Sequence, residues 1–226
     1  MTIETVVFDL DDTLAATGRA YARAVSVLAA GYGIDASAFV AAHRRWWARY
    51  QRGECTVEEL YQGRMRDAGL AGAAAVAAHD TFMRTAAAVR WRPGARRLLQ
   101  NLRARQVKTV ILTNGGSRSQ REKLARLGAD KLVDAVLVSE EIGHAKPAAA
   151  AFDAALQAVA GQASAAAAIG DDLHADVQGA LAAGFSMAIW ITTDRPSDPG
   201  RHITTVRRLD QVATILGLAN LGLANL

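Results

Sequence analysis

The sequence has few of the features that mark secreted, membrane or nucleic-acid-binding proteins. Its 226 residues include one cysteine, Cys55, which excludes an internal disulfide framework and a cysteine-rich zinc site. No apolar run reaches the roughly 20 residues of a membrane span, and Met1 leads into an expected strand rather than a signal peptide. The net charge is only +4, without a dense Lys/Arg block. A cytoplasmic protein with neither a membrane nor a nucleic-acid partner is therefore expected.

What the chain does contain is an alternation of apolar strands and helices at its beginning and in its second half. Hydrophobic residues make up 51% of the chain, enough for one large domain or a domain with an insert. Strict alternation predicts an α/β fold with a Rossmann-like parallel sheet. The predicted strands are Thr5–Asp11, Val107–Leu112, Ala135–Val138, Ala166–Ile169 and Met187–Ile191.

Residues 15–90 differ in composition from the rest of the chain. They are rich in Ala, Arg and aromatic residues and contain no convincing strand. Helical spacing predicts four helices there, the first ending at Gly31 and the third starting at a capping box on Thr56. We therefore predict an α/β core of residues 1–14 and 91–216 with an all-helical insert of residues 15–90. Residues 217–226 form a C-terminal extension with a five-residue repeat, to which we assign no function.

Acidic residues follow the first strand directly. Val6–Phe8 suit a buried parallel strand, and strand alternation would put Asp9 and Asp11 on the same side. Two carboxylates held so close at the end of a buried strand are costly unless a cation compensates them. The carboxyl ends of parallel strands are also where open α/β sheets place ligands. This stretch therefore predicts a metal site, although an acidic turn is the simpler interpretation.

Polar residues mark three further positions downstream. Thr113, followed by Asn114 and Gly115, ends an apolar strand in a turn that can hold phosphoryl oxygens. Lys146 precedes a helix start, where a lone lysine is usually solvated. Acids again follow a strand, at Asp171 and Asp176. Each signal is weak by itself, since acids at a helix start also favour the helix dipole.

Together these residues resemble the four motifs of the haloacid dehalogenase superfamily, in order, spacing and strand-end context, from about Thr5 to Ile191. The insert after the first motif is similar to the C1-type helical cap of that superfamily. Leu112–Gly115, Gln120–Leu124 and Ser139–Pro147 look most like the branch that holds N-acylneuraminate-9-phosphatase and pyrimidine 5′-nucleotidases.

The resemblance implies a Mg²⁺-dependent hydrolase of small-molecule phosphate monoesters that works through an aspartyl-phosphate. It implies that Asp9 is the nucleophile and that Asp11 is the general acid and base. The implied metal ligands are the Asp9 carboxylate, the Asp11 backbone carbonyl and the Asp171 carboxylate. Asp176 either binds the metal directly or supports the residues that do. The implied phosphate-binding residues are Thr113, Asn114, Gly115 and Lys146.

Other functions remain open on the sequence. A phosphomutase of sugar phosphates shares the same core, a 2-haloacid dehalogenase needs neither a metal nor the second acid Asp11, and a non-catalytic binder would be expected to have damaged motifs. The substrate class is a small phosphorylated metabolite, a nucleotide or a sugar phosphate, and the chain is expected to be a monomer or homodimer.

In relatives with this cap, a loop between two cap helices reads the leaving group. Here that loop is Gln51–Cys55, and Arg52 is its candidate substrate-binding residue, although a solvated arginine is equally consistent.

Overall fold

The structure is a computed structural model that describes residues 2–194 and 200–217. Most of the predicted extension at 217–226 lies outside the described residues. The chain divides into two compact units. The first comprises residues 1–15, 91–114 and 128–226, and the second comprises residues 16–90 and 115–127.

The secondary structure follows the predicted alternation. The strands are β1 (Thr5–Phe8), β2 (Ala15–Ala16), β3 (Arg90–Trp91), β4 (Lys108–Thr113), β5 (Ala135–Val138), β6 (Ala166–Gly170), β7 (Met187–Ile191) and β8 (Ile203–Val206). The α-helices are α1 (Gly18–Tyr32), α2 (Ala36–Gln51), α3 (Val57–Asp67), α4 (Gly72–Ala86), α5 (Ala95–Ala104), α6 (Ser117–Leu127), α7 (Ser139–Ile142), α8 (Ala149–Gln157), α9 (Gly179–Ala182) and α10 (Leu209–Ile215). A π-helix, Leu173–Gln178, precedes α9.

The first unit is built on a six-stranded sheet in the order β5-β4-β1-β6-β7-β8, with every neighbouring pair parallel. The predicted α/β class and Rossmann-like parallel sheet are therefore confirmed. All four residues of β1 are buried, as expected for a central strand covered on both faces. One face packs a cluster of apolar side chains that includes Val7, Val110, Leu112, Phe152 and Phe185.

The second unit is helical and has its own core. Side chains from α1, α2, α3, α4 and the connection between α1 and α2 pack together there, namely Ala24, Val25, Leu28, Ile34, Phe39, Met65, Ala78, Phe82 and Met83. The capping box at Thr56 is present, with its hydroxyl accepting from the Glu59 N–H at 3.1 Å. The sequence prediction kept residues 115–127 with the core, whereas the structure groups them with this unit. Arg118 of α6 accordingly pairs with Asp80 of α4 at 3.1 Å.

Several predicted boundaries are corrected. Helix α1 continues through Gly31 to Tyr32, and the next residue, Gly33, has a φ of 66° and makes the left-handed turn that closes the helix. Residues 15–90, predicted to lack strands, contribute to the short pair β2 and β3. Strand β8 was not predicted at all. Within the described parts of the chain, no helix combines the length and apolarity needed to cross a membrane.

Candidate active site

The candidate site is built at the carboxyl ends of three adjacent strands. Asp9 follows β1, Thr113 ends β4 and Asp171 follows β6. Strand β1 lies between the other two, with Phe8 beside Ile111 on one side and beside Ile169 on the other. Because β4 and β5 extend the sheet to one edge and β6 to β8 extend it to the other, the winding reverses at β1. Such a switch point is where open α/β sheets bind their ligands.

The chain turns sharply after β1, which corrects the predicted strand. The strand ends at Phe8 rather than at Asp11, and the Asp9 N–H donates to the Ile169 carbonyl at 2.9 Å. The Leu10 carbonyl then accepts the N–H groups of residues 13, 14 and 15. Strand alternation therefore does not set the position of Asp11, which forms an isolated bridge with Ala15 instead.

Three carboxylates converge at this edge of the sheet. Among the described residues, Asp9, Asp171 and Asp176 form a group in which one carboxylate oxygen from each residue lies within 4.8 Å of the other two. Gly170 permits this convergence, because a Cβ there would overlap the Asp176 side chain. The Asp11 carboxylate is not part of the group. The sequence signal for this feature was the acid after each strand, but the requirement for Gly170 could be recognised only in the structure.

Lys146 connects two of these acids. Its Nζ donates to Asp9 Oδ1 at 2.8 Å and to Asp176 Oδ1 at 2.6 Å, and all three side chains are at most 10% exposed. The second Asp176 oxygen accepts the Asp172 N–H at 3.1 Å. Lys146 is thus an integral part of the cluster rather than the solvated lysine that the sequence alone would favour.

The charges in this cluster shift one another's pKa values. Burial raises the pKa of Asp9 well above its ordinary value, and the carboxylates of Asp176, Asp171 and Asp11 add to this while Lys146 opposes it. Limited hydration, together with Asp176 and Asp12, raises the pKa of Asp171 to about 7, although part of that side chain is exposed. Burial alone would lower the pKa of Lys146, but its two acidic partners outweigh burial and raise it. The site therefore holds an excess of negative charge that a cation would relieve.

The donor set fits a hard divalent cation. Three clustered carboxylates supply the oxygen ligands that Mg²⁺ prefers in proteins. Asp9 and Asp171 are the better candidates for direct contact, because hydrogen bonds with Lys146 and the Asp172 N–H already engage both oxygens of Asp176. The Thr13 hydroxyl donates to Asp171 Oδ1 at 3.3 Å and orders that carboxylate.

Thr113 brings a buried hydroxyl to the end of β4. Its side chain is 1% exposed, and Oγ1 has no hydrogen-bond partner among the described residues. A buried hydroxyl left unpaired costs free energy, which a ligand oxygen at the strand end would recover. This is the behaviour expected of a residue that binds a phosphoryl group.

Asn114 has a structural role that sequence reasoning missed. Its Nδ2 donates to the Lys146 carbonyl at 2.8 Å, and its Oδ1 accepts the Lys146 N–H at 2.9 Å. The side chain thereby fixes the main chain of Lys146. The two residues are 32 positions apart, so no local pattern could have indicated this pairing.

We expect Asn114→Ala to destabilise the first unit, because it leaves the buried N–H and carbonyl of Lys146 without partners. The free energy of unfolding should fall by about 1–3 kcal/mol, the usual range for such a loss. Urea denaturation measures this change. Gln157→Ala, an exposed substitution on α8, is the matched control and should stay within about 0.5 kcal/mol of the wild type. An Asn114→Ala protein as stable as this control would show that the pairing contributes nothing.

The remaining predicted substrate-binding residues belong to the helical unit. Gly115 adopts a φ of 131°, which strongly favours glycine, directly after Asn114. Arg52 lies at the end of α2 in an exposed turn, where it donates to both oxygens of Glu54 at 2.5 and 2.9 Å. Its predicted contact with a leaving group stays a prediction.

Comparisons with known proteins agree with this geometry. The model of the haloacid dehalogenase-like hydrolase family matches residues 3–184. Pyrimidine 5′-nucleotidase YjjG of Escherichia coli is 31% identical over 168 residues, covering 73% of this chain and 74% of that protein. N-acylneuraminate-9-phosphatase of Homo sapiens is 35% identical over 94 residues, covering 42% and 38% of the two chains. The chain spans about half the length of the first curated relatives it matches.

A solved structure supports the fold. The HAD-hydrolase YfnB of Bacillus subtilis, bound to magnesium, superimposes with a TM-score of 0.83 at 24% identity, covering 96% of this chain and 100% of that one. At this identity the likeness concerns the fold alone. The predicted resemblance, including its branch, is confirmed by these matches together.

Proposed function

The chain belongs to the haloacid dehalogenase-like hydrolase family, and we propose from this premise that it is a Mg²⁺-dependent phosphatase of small-molecule phosphate monoesters. The observation that carries the proposal is the cluster in which Lys146 bridges Asp9 and Asp176 beside Asp171. Relatives named as phosphatases of ribulose bisphosphate, phosphoserine and pyrimidine nucleotides support the reaction class. The expected partner is a small phosphorylated metabolite, because the substrates in the names of these relatives are of that kind.

In the proposed reaction, Asp9 is the nucleophile. Its carboxylate attacks phosphorus as the bond to the leaving oxygen breaks, which produces an aspartyl-phosphate. Asp11, as the acid, gives its proton to the departing alkoxide, and its carboxylate then takes a proton from the water that attacks the same phosphorus. That second step releases inorganic phosphate and restores both acids.

The other residues bind and orient the phosphoryl group. Thr113 would donate its unpartnered hydroxyl to a phosphoryl oxygen, and the Asn114 N–H would donate to another. Lys146 holds Asp9 in place and balances negative charge as the phosphoryl group arrives. Mg²⁺, held by Asp9, the Asp11 carbonyl and Asp171 with support from Asp176, would supply charge neutralisation when bound.

The experiment is a screen of phosphorylated metabolites with Mg²⁺ that measures phosphate release, with p-nitrophenyl phosphate included and chloroacetate as the control. We expect phosphate from at least one metabolite and no chloride. Transfer of the phosphoryl group to a sugar rather than water would indicate a phosphomutase instead. Chloride release would indicate a dehalogenase, and no turnover at all would indicate a binding protein.

We propose that the helical unit serves as a C1-type cap that recognises the leaving group, and that Arg52 is one of the residues that contact it. Arg52→Ala should then lower kcat/KM on the order of tenfold for the best metabolite, as expected when a charged hydrogen bond is lost. The rate on p-nitrophenyl phosphate should barely change, because its leaving group offers few acceptors. Steady-state kinetics on both substrates measures the difference.

Arg45→Ala is the matched control for this prediction. Arg45 is an exposed arginine on α2, the helix that ends just before Arg52, and it too pairs with an acid, Asp67, at 3.2 Å. Equal effects of the two substitutions, or equal losses on both substrates, would contradict a role for Arg52 in substrate selection.

A further inference from the structure

Trp190 belongs to none of the four motifs and lies on β7. Strand β7 pairs in parallel with β6, and this pairing places Trp190 beside Gly170. Gly170 is the last residue of β6 and directly precedes Asp171. The indole of Trp190 therefore starts next to the carboxyl end of the strand that carries a proposed metal ligand.

The indole of Trp190 contacts the main chain of that ligand. Its Nε1–H donates to the Asp171 carbonyl at 2.9 Å, an ordinary length for an N–H···O hydrogen bond. Because Trp190 is only partly buried, water could also satisfy its N–H, so burial does not explain the contact. What the contact does is restrain the main chain of Asp171.

The peptide group that Trp190 holds is also the one that binds Asp176. The Asp171 carbonyl and the Asp172 N–H belong to one peptide plane, and that N–H donates to Asp176 Oδ2 at 3.1 Å. In a trans peptide these two groups point in opposite directions. Trp190 and Asp176 therefore hold the same plane from its two sides, and a rotation of this plane would break both hydrogen bonds.

The series of hydrogen bonds continues to the proposed nucleophile. Asp176 accepts from Lys146 Nζ at 2.6 Å through its other oxygen, Oδ1. The same Nζ donates to Asp9 Oδ1 at 2.8 Å. In a connected series each hydrogen bond orients and polarises the next. A change at the indole of Trp190 is thus passed on to the buried side chains of the site.

The carboxylate of Asp171 is restrained separately from its main chain. The Thr13 hydroxyl donates to its Oδ1 at 3.3 Å, while Trp190 holds its carbonyl. The grouping of Asp171 with Asp9 and Asp176 depends on this orientation, because one oxygen from each residue has to lie within 4.8 Å of the other two. The indole N–H therefore contributes to the arrangement of all three carboxylates.

From these contacts we propose that Trp190 is a positioning residue for the metal site: its indole N–H sets the orientation of the 171–172 peptide and thereby the metal affinity of the three carboxylates. This inference rests on the proposed Mg²⁺-dependent function and adds to it a residue that acts through the main chain of Asp171. Replacing a group that orients metal ligands by hydrogen bonding commonly lowers metal affinity by roughly 10- to 100-fold.

Trp190→Phe tests the proposal, because it removes the N–H and keeps an aromatic ring on β7. Binding of Mg²⁺ stabilises the folded protein according to the ratio of the Mg²⁺ concentration to Kd. The concentration at which the melting temperature begins to rise should therefore be about tenfold higher for Trp190→Phe than for the wild type. A tryptophan that only packs would instead lower the melting temperature by the same amount at every Mg²⁺ concentration.

Trp190→His provides the rescue. An imidazole can carry an N–H at the same ring position relative to Cγ as the indole does, so it restores the donor without the second ring. Its response to Mg²⁺ should be closer to that of the wild type than the response of Trp190→Phe is. Trp47→Phe, on α2 of the helical unit, is the matched control and should respond as the wild type does. Identical responses of the wild type and Trp190→Phe, or equal shifts in the Phe and His variants, would overturn the proposal.

The indole N–H resonance gives a spectroscopic readout that does not depend on catalysis. The chain has four tryptophans, so a ¹H–¹⁵N spectrum should contain four indole signals. Because Mg²⁺ on Asp171 would polarise the carbonyl that accepts from Trp190, that signal should shift as Mg²⁺ is added, and it should be missing from Trp190→Phe. Should Trp190→Phe fail to fold, replacing Trp46, Trp47 and Trp91 by phenylalanine in turn identifies the signal by elimination. A Trp190 signal that does not move with Mg²⁺ would overturn the proposal.

These results separate the role of Trp190 from the proposed reaction. If the wild type releases no phosphate from any substrate but its Mg²⁺ response still differs from that of Trp190→Phe, the reaction is wrong and the positioning role stands. If the wild type hydrolyses p-nitrophenyl phosphate and the two proteins respond identically to Mg²⁺, the reaction stands and the positioning role is wrong. A wild type whose melting temperature does not respond to Mg²⁺ would overturn the positioning role and remove the metal from the reaction.

Discussion

Replacing Asp9 with asparagine should reduce phosphate release by about 10³-fold or more, because an amide cannot attack phosphorus. The fold should survive, since an amide oxygen can still accept the hydrogen bond from Lys146 and Asp176 still pairs with that lysine. Removal of one charge also relieves repulsion within the three-carboxylate group. Steady-state rates on p-nitrophenyl phosphate, together with urea denaturation of the same preparation, measure both effects.

Asp12→Asn is the matched control for this result. Asp12 lies in the same turn with a φ of 53°, a conformation that asparagine tolerates well. Its activity should remain within a few-fold of the wild type. Near-normal turnover by a folded Asp9→Asn protein would show that another group is the nucleophile. Asp9→Ala guards against slow deamidation of the asparagine back to aspartate.

Removal of divalent metal should abolish turnover, and Mg²⁺ should restore it. The clustered carboxylates repel one another, and the phosphoryl group brings further negative charge to the same edge of the sheet. The assay uses protein treated with EDTA and then freed of chelator, measured with and without added Mg²⁺. Unchanged rates after exhaustive chelation would remove the metal from the proposal.

Thermal unfolding provides a readout of metal binding that does not depend on catalysis. A ligand at 100 times its Kd stabilises the folded state by about 2.7 kcal/mol, so Mg²⁺ should raise the melting temperature in a saturable way. Asp171→Asn should shift that saturation to higher Mg²⁺ concentrations. An identical titration for the wild type and Asp171→Asn would mean that Asp171 is not a ligand.

The sequence predicted the features that depend on local pattern. Strands β5 and β7 were predicted to the residue, because continuous apolar runs bounded by polar turns leave little ambiguity. The same pattern predicted that the residues following these strands would lie close together, since the carboxyl ends of parallel strands share one edge of the sheet. The capping box at Thr56 was recognised because its chemistry lies within four residues.

Features decided by turn geometry or by distant contacts, rather than by hydrophobic periodicity, were not predicted. Strand β1 was expected to reach Asp11, but the Leu10 carbonyl accepts three N–H groups of the following turn and ends the strand early. Residues 173–178 form a π-helix, an element that the sequence pattern did not indicate. An arginine on a helix is normally assigned to solvent, so the burial of Arg64 became evident only from the structure, where aromatic rings of two other helices, at Phe39 and Phe82, lie against it.

The central position of β1 has a consequence for synthesis on the ribosome. Its partners begin at Lys108 and Ala166, so Thr5–Phe8 leaves the exit tunnel long before either neighbouring strand exists. The sheet thus depends on contacts of long sequence separation, which form slowly. The helices α1 to α4, within residues 18–86, emerge next, and each packs against helices that are close to it in the sequence. We therefore expect the nascent helical segment to become compact first, while the apolar N-terminal strand stays exposed to chaperones until the second half of the chain is made.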